Sequence, residues 1–192
     1  MAVAPVGEEP RAGAIPRQLL SLSSLAGWED AVLASIAGAH GTIEERDRQI
    51  ERSGVFGEYP AIVRAYEELF ADPESAGEAI KRAVFLVWRG AVELPTLTAI
   101  APLPDGTMRA VVQEVDARVR RGESDAEQLW MLAWYHAHSP DLFEMYGATR
   151  ELVHTVESLA ADEWRSAGIT VEQMVVRGQM GRYWTDLATG AP

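Results

Sequence analysis

Two segments of the chain, 76–92 and 125–138, are apolar around nearly the whole circumference of an α-helix, while the segments between them carry ordinary one-sided stripes. A helix with apolar side chains on every side is normally buried among other elements. The pair therefore predicts the centre of a multi-helix fold. The chain has 192 residues, 47% of them hydrophobic, enough for one domain with a substantial core. The expectation is a single all-α domain over 20–180, a bundle of six or seven helices with little or no strand. A flexible tail rich in Pro, Gly and Ala is expected at 1–19 and a second tail at 181–192.

The stripes support this class. Trp28, Ala31, Val32, Ser35, Ile36 and Ala39 recur at helical spacing, as do Ile62, Val63, Tyr66, Leu69 and Phe70, and later Met108, Val111, Val112, Val115 and Val119. Thr42 with Glu45, and Ser124 with Glu127, read as capping boxes that open helices. Pro95 ends the first buried helix, because the residue before a proline is pushed out of the α region. The connection that follows, 95–106, is too apolar to stand in water and is expected against the body. After Ser139 and Pro140 the pattern predicts one long helix to about Ala167, stopped by Gly168, then a short helix over 170–180. From Gly181 the chain is expected to fray, with Tyr183 and Trp184 tacking it down.

Charge and composition bound the partners. The 29 acidic against 17 basic residues give a formal charge of -12, a field that repels nucleic-acid phosphates and anionic membrane surfaces and favours a basic protein partner. With no cysteine, disulfides, thiolate metal sites and a cysteine nucleophile are excluded. Neither a secretory signal nor an apolar run long enough to span a bilayer is evident, so a cytoplasmic location is expected. No metal and no cofactor is predicted.

Several constellations resemble sites. Glu151 and His154 have the Glu-x-x-His spacing of di-iron bundles, but the wheel turns both away from the apolar face and a second such motif is missing. His136 and His138 sit about 200° apart around a helix, so one metal cannot take both. On the first buried helix, Glu78, Arg82, Arg89 and Glu93 form a polar seam about 60° wide. Of these, Arg89 and Glu93 are the stronger candidates, because Gly90 thins the helix beside them and the apolar connection follows at once. Trp88, Trp130 and Trp134 lie on the two buried helices. The candidate ligand- or partner-binding residues are therefore Arg89, Glu93, Trp88, Trp134 and His136, with no catalytic residue assigned.

Two functions follow from this profile. One is a non-enzymatic interaction or regulatory protein whose acidic surface engages a partner, a profile of size and charge shared by analogy with immunity or antitoxin proteins. The other is a helical small-molecule-binding protein or enzyme with an apolar pocket between the central helices, roofed by 95–104.

Overall fold

A computed structural model of the chain describes residues 20–190; the expected tail at 1–19 lies outside the described residues. The described residues are all helical, with no strand among them. Their α-helices are α1 (Leu22–Ala37), α2 (Ile43–Ser53), α3 (Glu58–Leu69), α4 (Ala76–Val92), α5 (Pro95–Thr98), α6 (Asp105–Arg120), α7 (Ala126–His138), α8 (Asp141–Met145), α9 (Arg150–Glu157), α10 (Val171–Met174) and α11 (Gly178–Thr189). Two 3-10 turns, Val55–Gly57 and Glu163–Ser166, complete them.

The first buried segment is α4, and it packs against α3, α5, α6, α7 and α11. Every residue from Ala79 to Trp88 is buried, which is why its whole circumference is apolar apart from Lys81 and Arg82. In α7 the buried set is Gln128, Trp130, Met131, Leu132, Ala133 and Tyr135. Aromatic rings fill the space between the two helices: Trp88 stacks on Tyr135 at 4.7 Å between centroids, and Phe85 lies 6.0 Å from Trp88. The apolar connection lies against this body only in part, through 98–100 and Leu103, while Leu97 stays 63% exposed. Ala99 and Ile100 are fully buried, and a Cβ on Gly90 would stand only 2.8 Å from Ile100 Cγ2, so the glycine lets the connection approach the end of α4.

The eleven α-helices among the described residues exceed the six or seven expected, because short helical turns interrupt the connections, and two further expectations change. The long helix after Pro140 is broken into α8, α9 and the turn Glu163–Ser166. Gly147 takes φ +93°, a left-handed backbone that no helix continues through. Thr149 then opens α9 while its N–H and hydroxyl donate to Asp116 of α6 at 2.9 and 2.6 Å. The apolar stripe continues across the break because both pieces dock on one core.

The second change is at the C-terminus, where the segment expected to fray from Gly181 is part of α11 and packs on α1, α4 and α10. Trp184 is fully buried, edge-on to Trp130 at 4.6 Å, and its indole N–H points to Tyr135 Oη at 3.3 Å. Gly181 is not a breaker there. A Cβ at that position would stand 1.8 Å from the Met174 carbonyl oxygen, so glycine is what allows α10 and α11 to touch.

Gly181→Ala should therefore lower stability by about 3 kcal/mol, the upper part of the overpacking range. Gly27, exposed in the middle of α1 with nothing within 4 Å of a built Cβ, should do the opposite. Gly27→Ala should add roughly 0.5–1 kcal/mol. Urea unfolding of both variants beside the parent checks the pair.

Candidate functional site

Burying α4 places Lys81 and Arg82 inside the molecule, and a buried cation must be paired. Their carboxylate partners come from two elements. Arg82 Nε donates to Glu78 Oε1 one turn away at 2.7 Å, and Lys81 Nζ reaches Asp125 Oδ2 and Glu127 Oε2 at the start of α7, both at 2.6 Å. Between Glu78 and Glu127 lies the guanidinium of Arg177, from the link joining α10 to α11. Its Nε donates to Glu78 Oε1 at 2.6 Å and its Nη1 to Glu127 Oε1 at 2.6 Å, while Nη2 is shared between the second oxygens of both carboxylates.

Asp125 caps α7, accepting from the Gln128 N–H at 2.7 Å, so the capping box expected from Ser124 does not form. An Asp caps as well as a Ser, and Glu127 is instead drawn to Lys81 and Arg177. Burial opposes ionisation of Glu127, yet hydrogen bonds from Arg177 and Lys81 hold its carboxyl below the ordinary carboxylate range. Arg177 is likewise disfavoured as a cation by burial and held charged, more firmly than a free guanidinium, by Glu78 and Glu127.

The cluster floors an open cleft of about 540 Å³. Trp130, Ile169 and Met174 supply apolar walls, and Glu163 joins Glu78 and Glu127 on the acidic side. The charges are not symmetric about the opening. The side chains of Lys81, Arg82 and Arg177 are 5–8% exposed, whereas Glu78 is 22% and Glu127 31% exposed. Cations turn inward and carboxylates outward. The α10 segment beside the cleft also leaves Val171, Val175 and Val176 half or more exposed.

A second buried polar cluster adjoins the first. Glu29 of α1 is 1% exposed; its Oε1 accepts from Tyr66 Oη at 2.6 Å and its Oε2 from the Gln179 N–H at 2.8 Å. Burial pushes the Glu29 carboxyl up to about 7, against the pull of the Tyr66 and Gln179 hydrogen bonds and of Arg82. The Gln179 side-chain amide donates to Tyr59 Oη and, at 2.7 Å, to the Thr98 carbonyl, tying α11 to α3 and the connection after α4.

The residues favoured by sequence lie elsewhere. Arg89 and Glu93 are paired at 3.1 Å but only half-buried, and the Arg89 guanidinium sits 5.0 Å over the Tyr183 ring. Trp88 is packed in the core, and Trp134 donates its indole N–H to Tyr183 Oη at 2.7 Å. His136 stacks on Phe143 with Nε2 3.7 Å from Glu157, while His138 takes up the Trp134 carbonyl at 2.8 Å. Glu151 and His154 are exposed. None of these lines the large cleft. A second cavity, of about 410 Å³, is lined by Gly90, Leu103, Met108, Leu142, Met145 and Tyr146, at the ends of α4 and α8 rather than between the central helices. Among the described residues no group of three or more His, Asp or Glu side chains is placed to hold a metal ion.

Arg177, Glu127, Lys81 and Glu29 are the residues that sequence reasoning missed. The available signal was the polar break in an otherwise apolar helix: Lys81 and Arg82 together present two cations to the interior, and Glu78 alone cannot neutralise both. No protein-family model, curated protein or solved structure matches the chain.

Removing Arg177 leaves two carboxylates partly desolvated without their shared cation. Arg177→Ala should cost about 3–5 kcal/mol, whereas Arg89→Ala, breaking a half-exposed pair, should cost no more than about 1 kcal/mol. Thermal melts of the two variants at one salt concentration give the comparison.

Proposed function

We propose that this chain is a non-enzymatic interaction protein that receives a basic side chain of a partner protein in the cleft floored by Glu78, Glu127 and Arg177. The observation that carries this reading is the orientation of the cluster. Lys81, Arg82 and Arg177 balance Glu78, Asp125 and Glu127 in number, but the carboxylates hold the solvent side. The accessible charge of the cleft is therefore negative. Trp130 offers an aromatic wall, and aromatic surface beside carboxylates suits a guanidinium or ammonium carried on an apolar stem. The exposed valines of the α10 segment add apolar contact at the same end of the molecule. A net charge of -12 speeds encounter with a basic partner at low salt.

The reading is a binding one because the acid/base groups are occupied structurally. Glu29 is sealed from solvent, and Glu78 and Glu127 at the cleft are tied to fixed cations. A bundle in the cytoplasm, where a chain without cysteine is at home, fits this role. The apolar cavity beside Gly90 and Leu103 supports a second reading, a small apolar ligand held there. Native mass spectrometry of the purified chain separates the two, since co-purifying small-molecule mass favours the second.

Glu163 lies at the cleft and is exposed, so reversing its charge leaves the buried cluster untouched. A peptide of alternating valine and arginine, titrated at low salt with tryptophan emission as the readout, should bind the parent. Glu163→Lys should weaken it about tenfold, mainly through slower association and a shallower salt dependence. Equal affinity for parent and variant would overturn the assignment of the cleft.

A further inference from the structure

The link between α10 and α11 is only three residues long and is held from both sides. Arg177, on its cleft side, is fixed by Glu78 and Glu127; Gln179, on its inner side, is fixed through its backbone N–H by Glu29. Gly178, the first residue of α11, stands between them at φ +60°, with the position of a Cβ only 2.6 Å from Glu29 Oε2, so the carboxylate is pressed against the backbone where the link enters α11. We infer that Glu29 is a proton-operated latch on this link: protonated, it holds the start of α11 and thereby Arg177 in place; ionised, it favours opening of the link to water.

The groups facing Glu29 do not cancel its charge. From α3 come the Tyr66 and Tyr59 hydroxyls, from α4 Arg82, from α11 the Gln179 N–H and, more remotely, Arg182, and from its own helix Asp30. The 95–98 helix brings only the neutral Thr98 carbonyl, which accepts from Gln179. Arg82 is the one cation close by, and its Nε is committed to Glu78 and its Nη1 to the Leu22 carbonyl at 2.9 Å. Arg182 pairs with Asp30 at 2.8 Å. In a protonated carboxyl Oε2 still accepts from Gln179, while Oε1 reverses its 2.6 Å bond and donates to Tyr66 Oη, whose own proton turns aside. An ionised one must remain charged without water. Opening exposes it.

The direction with pH follows. The carboxyl titrates at about 7 when the link is closed and near its ordinary 4.5 when it is exposed. Between those values the closed form binds more protons than the open form. The closed form is therefore favoured by acid, fully below about 4.5, and the advantage is lost as pH rises through about 7. With these two values the opening constant should grow about fortyfold from pH 5 to pH 7 and level off above pH 8.

The experiment is hydrogen exchange of the Gln179 amide in the full chain between pH 5 and pH 8.5, corrected for the intrinsic rate. In the parent, protection should fall along that curve. In Glu29→Gln, a neutral side chain of the same shape, it should be independent of pH and at least as high as in the parent at pH 5. A parent amide whose protection is flat or rises with pH overturns the latch, and so does a Glu29→Gln chain with the parent's slope. If that variant does not fold, the parent's Gln179 amide proton shift must still titrate with a midpoint near 7, and a featureless titration is equally decisive against the latch.

The consequence for the cleft rests on the binding reading above. The valine–arginine peptide, seated against Met174 and Arg177, should add protection at Gln179 at every pH. If it adds none while the pH curve stands, the binding reading fails and the latch does not.

Discussion

The architecture depends on one guanidinium. Arg177 is drawn from the last part of the chain to Glu78 and Glu127, 99 and 50 residues before it in sequence, and it closes a triangle between α4, α7 and the α10–α11 link. Without it the two carboxylates beside Lys81 and Arg82 would face each other across a partly dry gap. With it, the C-terminal helix has one place to dock. Planar, five-donor geometry matters here, because a lysine in the same position would present a point charge to two carboxylates that each offer two oxygens.

The hydrophobic core accepts this polar junction because the two are adjacent but separate. Trp184, one turn beyond Gly181, enters the aromatic group of Trp130, Trp134, Trp164 and Tyr135, and its burial anchors α11 independently of any charge. Burial of rings supplies most of the driving force, being proportional to apolar area and indifferent to direction. Direction comes from the ions and from glycines: Gly181 permits the contact with Met174, and Gly90 permits the contact with Ile100. Each is a close approach that a side chain would prevent.

What was legible in the sequence was what repeats along it. The all-helical class, the burial of 79–88 and of the middle of 125–138, and the outward direction of Glu151 and His154 all follow from spacing of apolar residues, a property local to each segment. The break at Gly147 was not legible, because the apolar stripe runs on through it and the left-handed turn is stabilised by Asp116, more than thirty residues earlier in sequence. The C-terminal helix was lost for a related reason. Gly181 reads as punctuation, and only the folded molecule shows that the Met174 carbonyl occupies the space where its side chain would be. The site failed to show for a third reason. An i,i+4 pair such as Arg89 and Glu93 announces itself, whereas the partners of Arg177 and Glu29 are tens of residues distant and carry no common spacing.

Balanced ion clusters are not efficient stabilisers, since apolar residues of equal volume often do as well in their place. Their effect here is geometric. Three cations project from the centre of the fold or are drawn into it, so their carboxylate partners must approach from the outside and keep part of their surface in water. The same requirement that neutralises Lys81 and Arg82 thus sets the sign of the cleft: it presents oxygen lone pairs beside Trp130 although the charges of the cluster beneath it sum to zero. Net charge alone would have made the whole surface acidic without distinguishing one part of it. The buried helix makes this part different, because here two carboxylates are held by buried cations beside an aromatic wall, with their side-chain entropy already spent in folding.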